Sequence, residues 1–94
     1  MKTIVDNANI QSAIDTLKGM GVPVLDKDLG WNADFYISGE DNYNDGETLW
    51  ADYYEGEYIY PDSFGIHPRI MFQLNCRNMH AEWINPGLVG IYLD

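Results

Sequence analysis

The chain has 94 residues, 46% of them apolar, and carries five basic against fifteen acidic side chains for a formal charge of −10; that is the size of one domain (residues 1–94), hydrophobic enough to fold rather than stay disordered. Such a charge argues against nucleic-acid and anionic-membrane binding, which rest on clustered Lys and Arg, and the lone Cys76 excludes an intramolecular disulfide framework. No segment reaches the about 20 apolar residues of a membrane span, and the first residues lack the apolar run of a signal peptide, so a cytoplasmic protein is expected.

The first predicted element is a helix. Asp6, Asn7 and Asn9 offer capping oxygens, Ile10, Ala13, Ile14 and Leu17 share one helical face, and Gly19 and Gly21 supply stop positions after Lys18. Val22 to Leu25, around Pro23, suits a short extended piece. Asp34 to Ser38 reads as a strand around Phe35 and Ile37, and Gly39 to Gly46 is turn chemistry throughout. Thr48 to Tyr54 is predicted as a second strand, although Leu49, Trp50, Tyr53 and Tyr54 also suit one helical face; Tyr58 to Tyr60 is predicted as a third strand closed by Pro61.

Residues 69–77 pose a conflict. Ile70, Phe72, Leu74 and Cys76 alternate as in a strand, but the stretch has one β-branched residue and many good helix formers. Pro68 suits a first helical position and Asn78 a left-handed exit, which tips the reading to a helix. Met79, Ala81 and Trp83, then Val89, Ile91 and Leu93, alternate on either side of Asn85-Pro86-Gly87, whose proline and glycine predict a type II turn. The expected fold class is α+β: the N-terminal helix and a second near 68–77 packed on an antiparallel sheet that ends in a C-terminal hairpin.

One feature of the chain stands apart from this layout. Between Asp28 and Pro68 there is no Lys or Arg, yet the stretch holds ten acids and ten aromatics. Aromatics alternating inward and acids outward would account for half of this pattern. Seven tyrosines and three tryptophans exceed what a core of this size requires, and Tyr and Trp are favoured anchors of protein interfaces. A domain of this length is about 25 Å across, a span over which duplex DNA presents about 15 charges. Ten carboxylates come within a factor of two of that number.

Other chemistries fit the residues less well. Asp41 to Asp52 has the length of a calcium loop, with Asp41, Asp45, Gly46 and Asp52 at suitable positions, but Tyr43 stands where an oxygen ligand is needed and Asp52 where a bidentate Glu is needed. His67, Cys76 and His80 lack the paired spacing of a zinc site, and Cys76 lacks the glycine-rich backbone of a nucleophile's oxyanion hole; it reads instead as a small buried core residue. Asp52 with Glu55 is equally well explained as two solvated charges. No phosphate loop or dinucleotide fingerprint is present. The chain is therefore expected to be no enzyme and to need no metal or cofactor.

The expected function is that of an acidic protein-binding inhibitor or adaptor. It would occupy a basic, nucleic-acid-binding surface of a partner protein, in the way of the nucleic-acid mimics that phages and plasmids deploy against host defence. Glu40, Asp41, Tyr43, Asp45, Glu47, Asp52, Tyr54, Glu55 and Glu57 are the expected partner-binding residues, with carboxylates in place of phosphates and tyrosines supplying packing. The alternatives are a small-ligand or divalent-cation-binding module and a structural homodimeric subunit.

Overall fold

A computed structural model describes residues 2–39, 49–54 and 56–94. Helix α1 runs from Ile4 to Met20, two residues before the predicted capping residues. Its cap is Thr3: the Thr3 hydroxyl accepts from the Asp6 N–H and the Asp6 carboxylate accepts from the Thr3 N–H, both at 3.0 Å. This reciprocal box satisfies two of the first-turn donors, and it starts the helix earlier than apolar spacing alone suggested. The hydrogen bonds from Thr3 hold the Asp6 carboxyl below its ordinary range. Gly21 ends the helix at φ 94°, and the Val22 N–H returns to Leu17 O at 3.1 Å, closing the left-handed stop.

Strands β1 (Val24–Leu25) and β2 (Phe35–Ser38) follow. The chain then passes a short helical turn, α2 (Gly56–Ile59), and a 3-10 turn at Pro61–Ser63 before helix α3 (Pro68–Asn75). Strands β3 (Met79–Asn85) and β4 (Leu88–Leu93) form the C-terminal hairpin. The sheet is antiparallel throughout, in the order β1-β2-β4-β3. Among the described residues no helix is long and apolar enough to cross a membrane.

The α+β layout and its two principal helices agree with the sequence. Pro68 opens α3, the His67 ring nitrogen Nδ1 accepts from the Arg69 N–H at 3.0 Å, and Asn78 adopts φ 59°. Two predicted strands do not form. Tyr58 to Tyr60 is instead mostly the helical turn α2, because the Tyr60 N–H returns to Gly56 O at 2.6 Å. Of Thr48 to Tyr54, residues 49–54 contribute only an isolated bridge from Ala51 to Ile66, since the chain turns at once through a side-chain bond from Asp52 to the Tyr54 N–H. Cys76, expected in the core, is exposed just past the end of α3. The hairpin turn also departs from type II: Gly87 has no positive φ, and the Asn85 Oδ1 accepts the Gly87 N–H at 2.9 Å, so the asparagine rather than the glycine makes the turn.

One face of the sheet carries the core. Ala13, Ile14 and Leu17 of α1 and Ile70 and Leu74 of α3 pack on Phe35, Ile37, Met79, Val89 and Ile91. Arg77 ties the two helices from outside: its guanidinium donates to Thr16 Oγ1 at 3.1 Å and to Gln73 O at 3.0 Å, while Asn9 Nδ2 donates to Arg77 O at 2.8 Å. Leu17 sits where both helices meet the sheet and is wholly buried. Leu17→Ala is expected to cost about 2–5 kcal/mol by leaving a cavity and to lower Tm by about 10 °C or more in a domain of this length, as thermal unfolding will read directly.

Candidate functional site

The crossover from Leu49 to Ile66 builds a surface of aromatic rings. Its ends are held together by main-chain bonds: Asp52 N–H donates to Gly65 O at 2.9 Å and His67 N–H to Trp50 O at 2.8 Å. Inside the loop, Gly56 N–H donates to Asp52 O at 3.1 Å and Gly65 N–H to Tyr60 O at 3.1 Å. The two glycines meet face to face. A Cβ on Gly56 would come within 2.2 Å of Gly65 Cα, and one on Gly65 within 2.4 Å of Asp52 O. The loop closes only because both positions lack side chains.

This closure pushes apolar groups outward. Phe64 takes the left-handed conformation at φ 53°, ψ 38°, and its ring is 80% exposed. An aromatic residue in that region costs about 1–2 kcal/mol, and burial does not offset it here. The Phe64 carbonyl accepts the Trp83 indole N–H at 2.7 Å, so the loop and β3 are joined at this point. Trp83 lies over Gly39, where a Cβ would stand 3.0 Å from its ring. Tyr53 meets the Trp83 ring nearly at right angles, with centroids 5.4 Å apart and an interplanar angle of 81°. Tyr53, Pro61, Phe64 and Trp83 together line an open groove of about 400 Å³. Tyr54, 74% exposed, stands edge-on against Tyr53, and Tyr58 of α2 is 86% exposed. Asp52, Asp62 and Glu82 belong to the same elements.

Behind this surface lies a buried aromatic cluster. The Trp50 ring is 4.9 Å from His67, which also faces Tyr60 at 5.1 Å. The Arg69 guanidinium lies 5.6 Å from the Trp50 ring centroid, a cation–π arrangement. Trp50 Nε1 is buried and has no hydrogen-bond partner among the described residues. Burial, and then the Arg69 charge, hold the His67 pKa below its ordinary value. Because Nδ1 accepts from the Arg69 N–H, the neutral ring carries its proton on Nε2. The other histidine is opposite in character. His80 lies between Asp94, at Nδ1, and Glu82, 3.2 Å from Nε2, and stacks on Tyr92. The Asp94 hydrogen bond is the main cause of its raised pKa, with Glu82 adding to it.

Of the expected partner-binding residues, Tyr54 stands on the aromatic surface. Asp52 sits at the mouth of the loop with its carboxylate on the Tyr54 N–H. Glu57 lies in α2. Glu40, Asp41, Tyr43, Asp45, Glu47 and Glu55 lie outside the described residues, as do positions 41–48 of the tested calcium loop. His67, Cys76 and His80 do not converge; among the described residues no three His, Cys, Asp or Glu side chains are placed to hold a metal. Tyr53, Pro61, Phe64 and Trp83 were not among the expected residues. Their one local signal is Phe64 itself, an aromatic between the turn formers Ser63 and Gly65 with no strand or helix spacing to bury it. No family model, curated protein or solved structure matches this chain.

Phe64→Gly is expected to stabilise the fold by about 0.5–1 kcal/mol: the left-handed penalty of about 1–2 kcal/mol is removed and roughly 0.5–1 kcal/mol is returned in chain entropy. A Tm rise of about 2–8 °C in thermal unfolding is the matching result. Gly65→Ala, at φ 84° and against Asp52 O, should lower stability by about 1–3 kcal/mol. The two histidines give opposite pH slopes. For His67 the folded pKa lies below the ordinary 6.5, so its contribution is complete above pH 6.5 and lost on acidification. For His80 the folded pKa lies above 6.5, so its contribution is complete below pH 6.5 and lost as pH rises through the folded pKa. His80→Gln should therefore lower Tm slightly at acid and neutral pH and remove the fall through the folded pKa, leaving Tm above that pKa unchanged. The change is small, under about 1 kcal/mol, because the pair is exposed and screened.

Proposed function

We propose that this protein is an acidic binding protein that occupies a basic surface on a partner protein. The observation that carries this reading is the aromatic groove on Tyr53, Pro61, Phe64 and Trp83, three of which, Tyr53, Pro61 and Phe64, belong to a stretch of chain that holds ten acids and no base. Exposed Tyr and Trp in a solvated, uncharged setting would favour self-association. Set in a segment this negative, they favour a partner of opposite charge, which long-range attraction brings in and the rings then hold. The carboxylates of Glu40, Asp41, Asp45, Glu47, Glu55 and Glu57 add charge to the same segment, and Asp52 and Tyr54 stand at the groove's margin.

The more specific form of the reading is a nucleic-acid mimic of the anti-defence kind, in which the partner's surface is one that ordinarily binds phosphates. It needs no catalytic group of its own, since occupying the surface is sufficient to inhibit.

The test is affinity capture at low salt followed by a salt ramp, with duplex DNA as a competitor. The captured protein should elute with salt and be displaced by the DNA. The variant E40Q/D41N/D45N/E47Q should release it at a distinctly lower salt concentration, because each removed contact weakens the salt dependence. Retention that ignores salt, or that is unchanged in the variant, overturns the proposal.

A further inference from the structure

The groove itself has a chemistry more specific than stickiness, and we infer that it is an arginine subsite: it receives the guanidinium of an arginine on the partner protein, stacked against the rings of Tyr53, Phe64 and Trp83. This deepens the proposed function and rests on it. Three observations converge. The first is preorganisation. Trp83 is fixed by its N–H on Phe64 O at 2.7 Å and by the edge of Tyr53 at 5.4 Å, so its ring is set before any ligand arrives. Groups already held in place give up little freedom on binding.

The second is strain without a structural return. Phe64 keeps a large aromatic ring at φ 53° and exposes 80% of it. The fold does not use this ring for its core, and the left-handed backbone alone would be better served by glycine. The ring forms a wall of the groove, which is a reason to keep it.

The third is charge. Asp52 and Asp62 lie on the loop that forms the groove, and the nearest bases in sequence to that loop are Lys27 and Arg69. Arg69 is already committed to the buried Trp50 on the far side of the cluster. That pair shows the same chemistry inside the molecule.

A flat cation fits better than a compact one. Among the described residues the groove is lined by Tyr53, Pro61, Phe64 and Trp83 and is open to solvent, with the exposed Tyr54 ring edge-on against Tyr53, so it does not enclose its occupant as a cage around a quaternary ammonium would. Guanidinium is planar and weakly hydrated, and it stacks on rings, whereas the Lys ammonium is compact and strongly hydrated. Because the proposed partner is a protein, the arginine is taken as part of a protein chain rather than as a free amino acid.

The experiment compares two blocked twelve-residue peptides, one alternating Gly and Arg and the other alternating Gly and Lys, so that charge and length are equal. Binding is followed by calorimetry and by the indole N–H resonance of Trp83, identified by its loss in Trp83→Phe. The Arg peptide should bind about fivefold or more tightly than the Lys peptide and shift the Trp83 resonance. Phe64→Gly should bring the two affinities to within about twofold while the fold stays intact by circular dichroism. Phe72→Ala, which removes an exposed ring on α3 away from the groove, should leave the preference unchanged. Equal binding of the two peptides by the unaltered protein overturns the arginine subsite and leaves the acidic binding surface standing. A preference that persists in Phe64→Gly, or that Phe72→Ala abolishes, overturns the assignment to this groove. Binding of neither peptide overturns both the subsite and the proposed function beneath it.

Discussion

The pairing of β2 with β4 is the constraint from which the other features follow. It joins Phe35–Ser38 to Leu88–Ile91 across more than half of the chain. Closing so long a loop is entropically unfavourable, and the buried Phe35, Ile37, Val89 and Ile91 supply the compensating burial. Once that ladder exists, α1 and α3 have a common face to cover, and β3 is placed at one edge by its hairpin with β4. Among the described residues, the chain between β2 and α3 adds no strand to the sheet. Its described part becomes a crossover whose only strand-like contact is the bridge from Ala51 to Ile66.

The aromatic surface is a consequence of that exclusion. A segment rich in Tyr and Trp but left outside the sheet can bury only some of its rings. Trp50 goes inward, against His67 and beneath Arg69, while Tyr54, Tyr58 and Phe64 remain outside. The glycine pair at positions 56 and 65 decides which way the rings face, because the close approach of the two backbones closes the loop tightly and leaves Phe64 in a left-handed conformation. Trp83 then bridges the two regions, partly packed on the core and hydrogen-bonded to the loop.

Electrostatically, the molecule carries five bases against fifteen acids, and several of those bases are held locally. Lys2 pairs with Asp34, Lys18 with Asp26, and Arg77 with neutral oxygens of α1 and α3. Most carboxylates are thus left uncompensated. Self-repulsion of that kind reduces stability, and a cationic partner would relieve it. Exposed rings and excess negative charge in one segment therefore point toward the same class of partner.

Periodicity and capping chemistry determined the α+β class, helix α1 apart from its first turn, helix α3 and the terminal hairpin, because each rests on neighbours in sequence: Ile14 and Leu17 on one face, Pro68 and Asn78 at the ends of α3, Met79 and Trp83 alternating before Asn85. The unbroken acidity from Asp28 to Pro68 was equally plain. Tertiary structure alone decided that Tyr58 to Tyr60 winds mostly into a helical turn, that Cys76 faces solvent, and that Tyr53, Phe64 and Trp83 share a groove. The groove depends on contacts between residues separated in the chain, Gly56 on Gly65 and Trp83 on Phe64, and no local pattern of apolar spacing encodes where two such segments will touch.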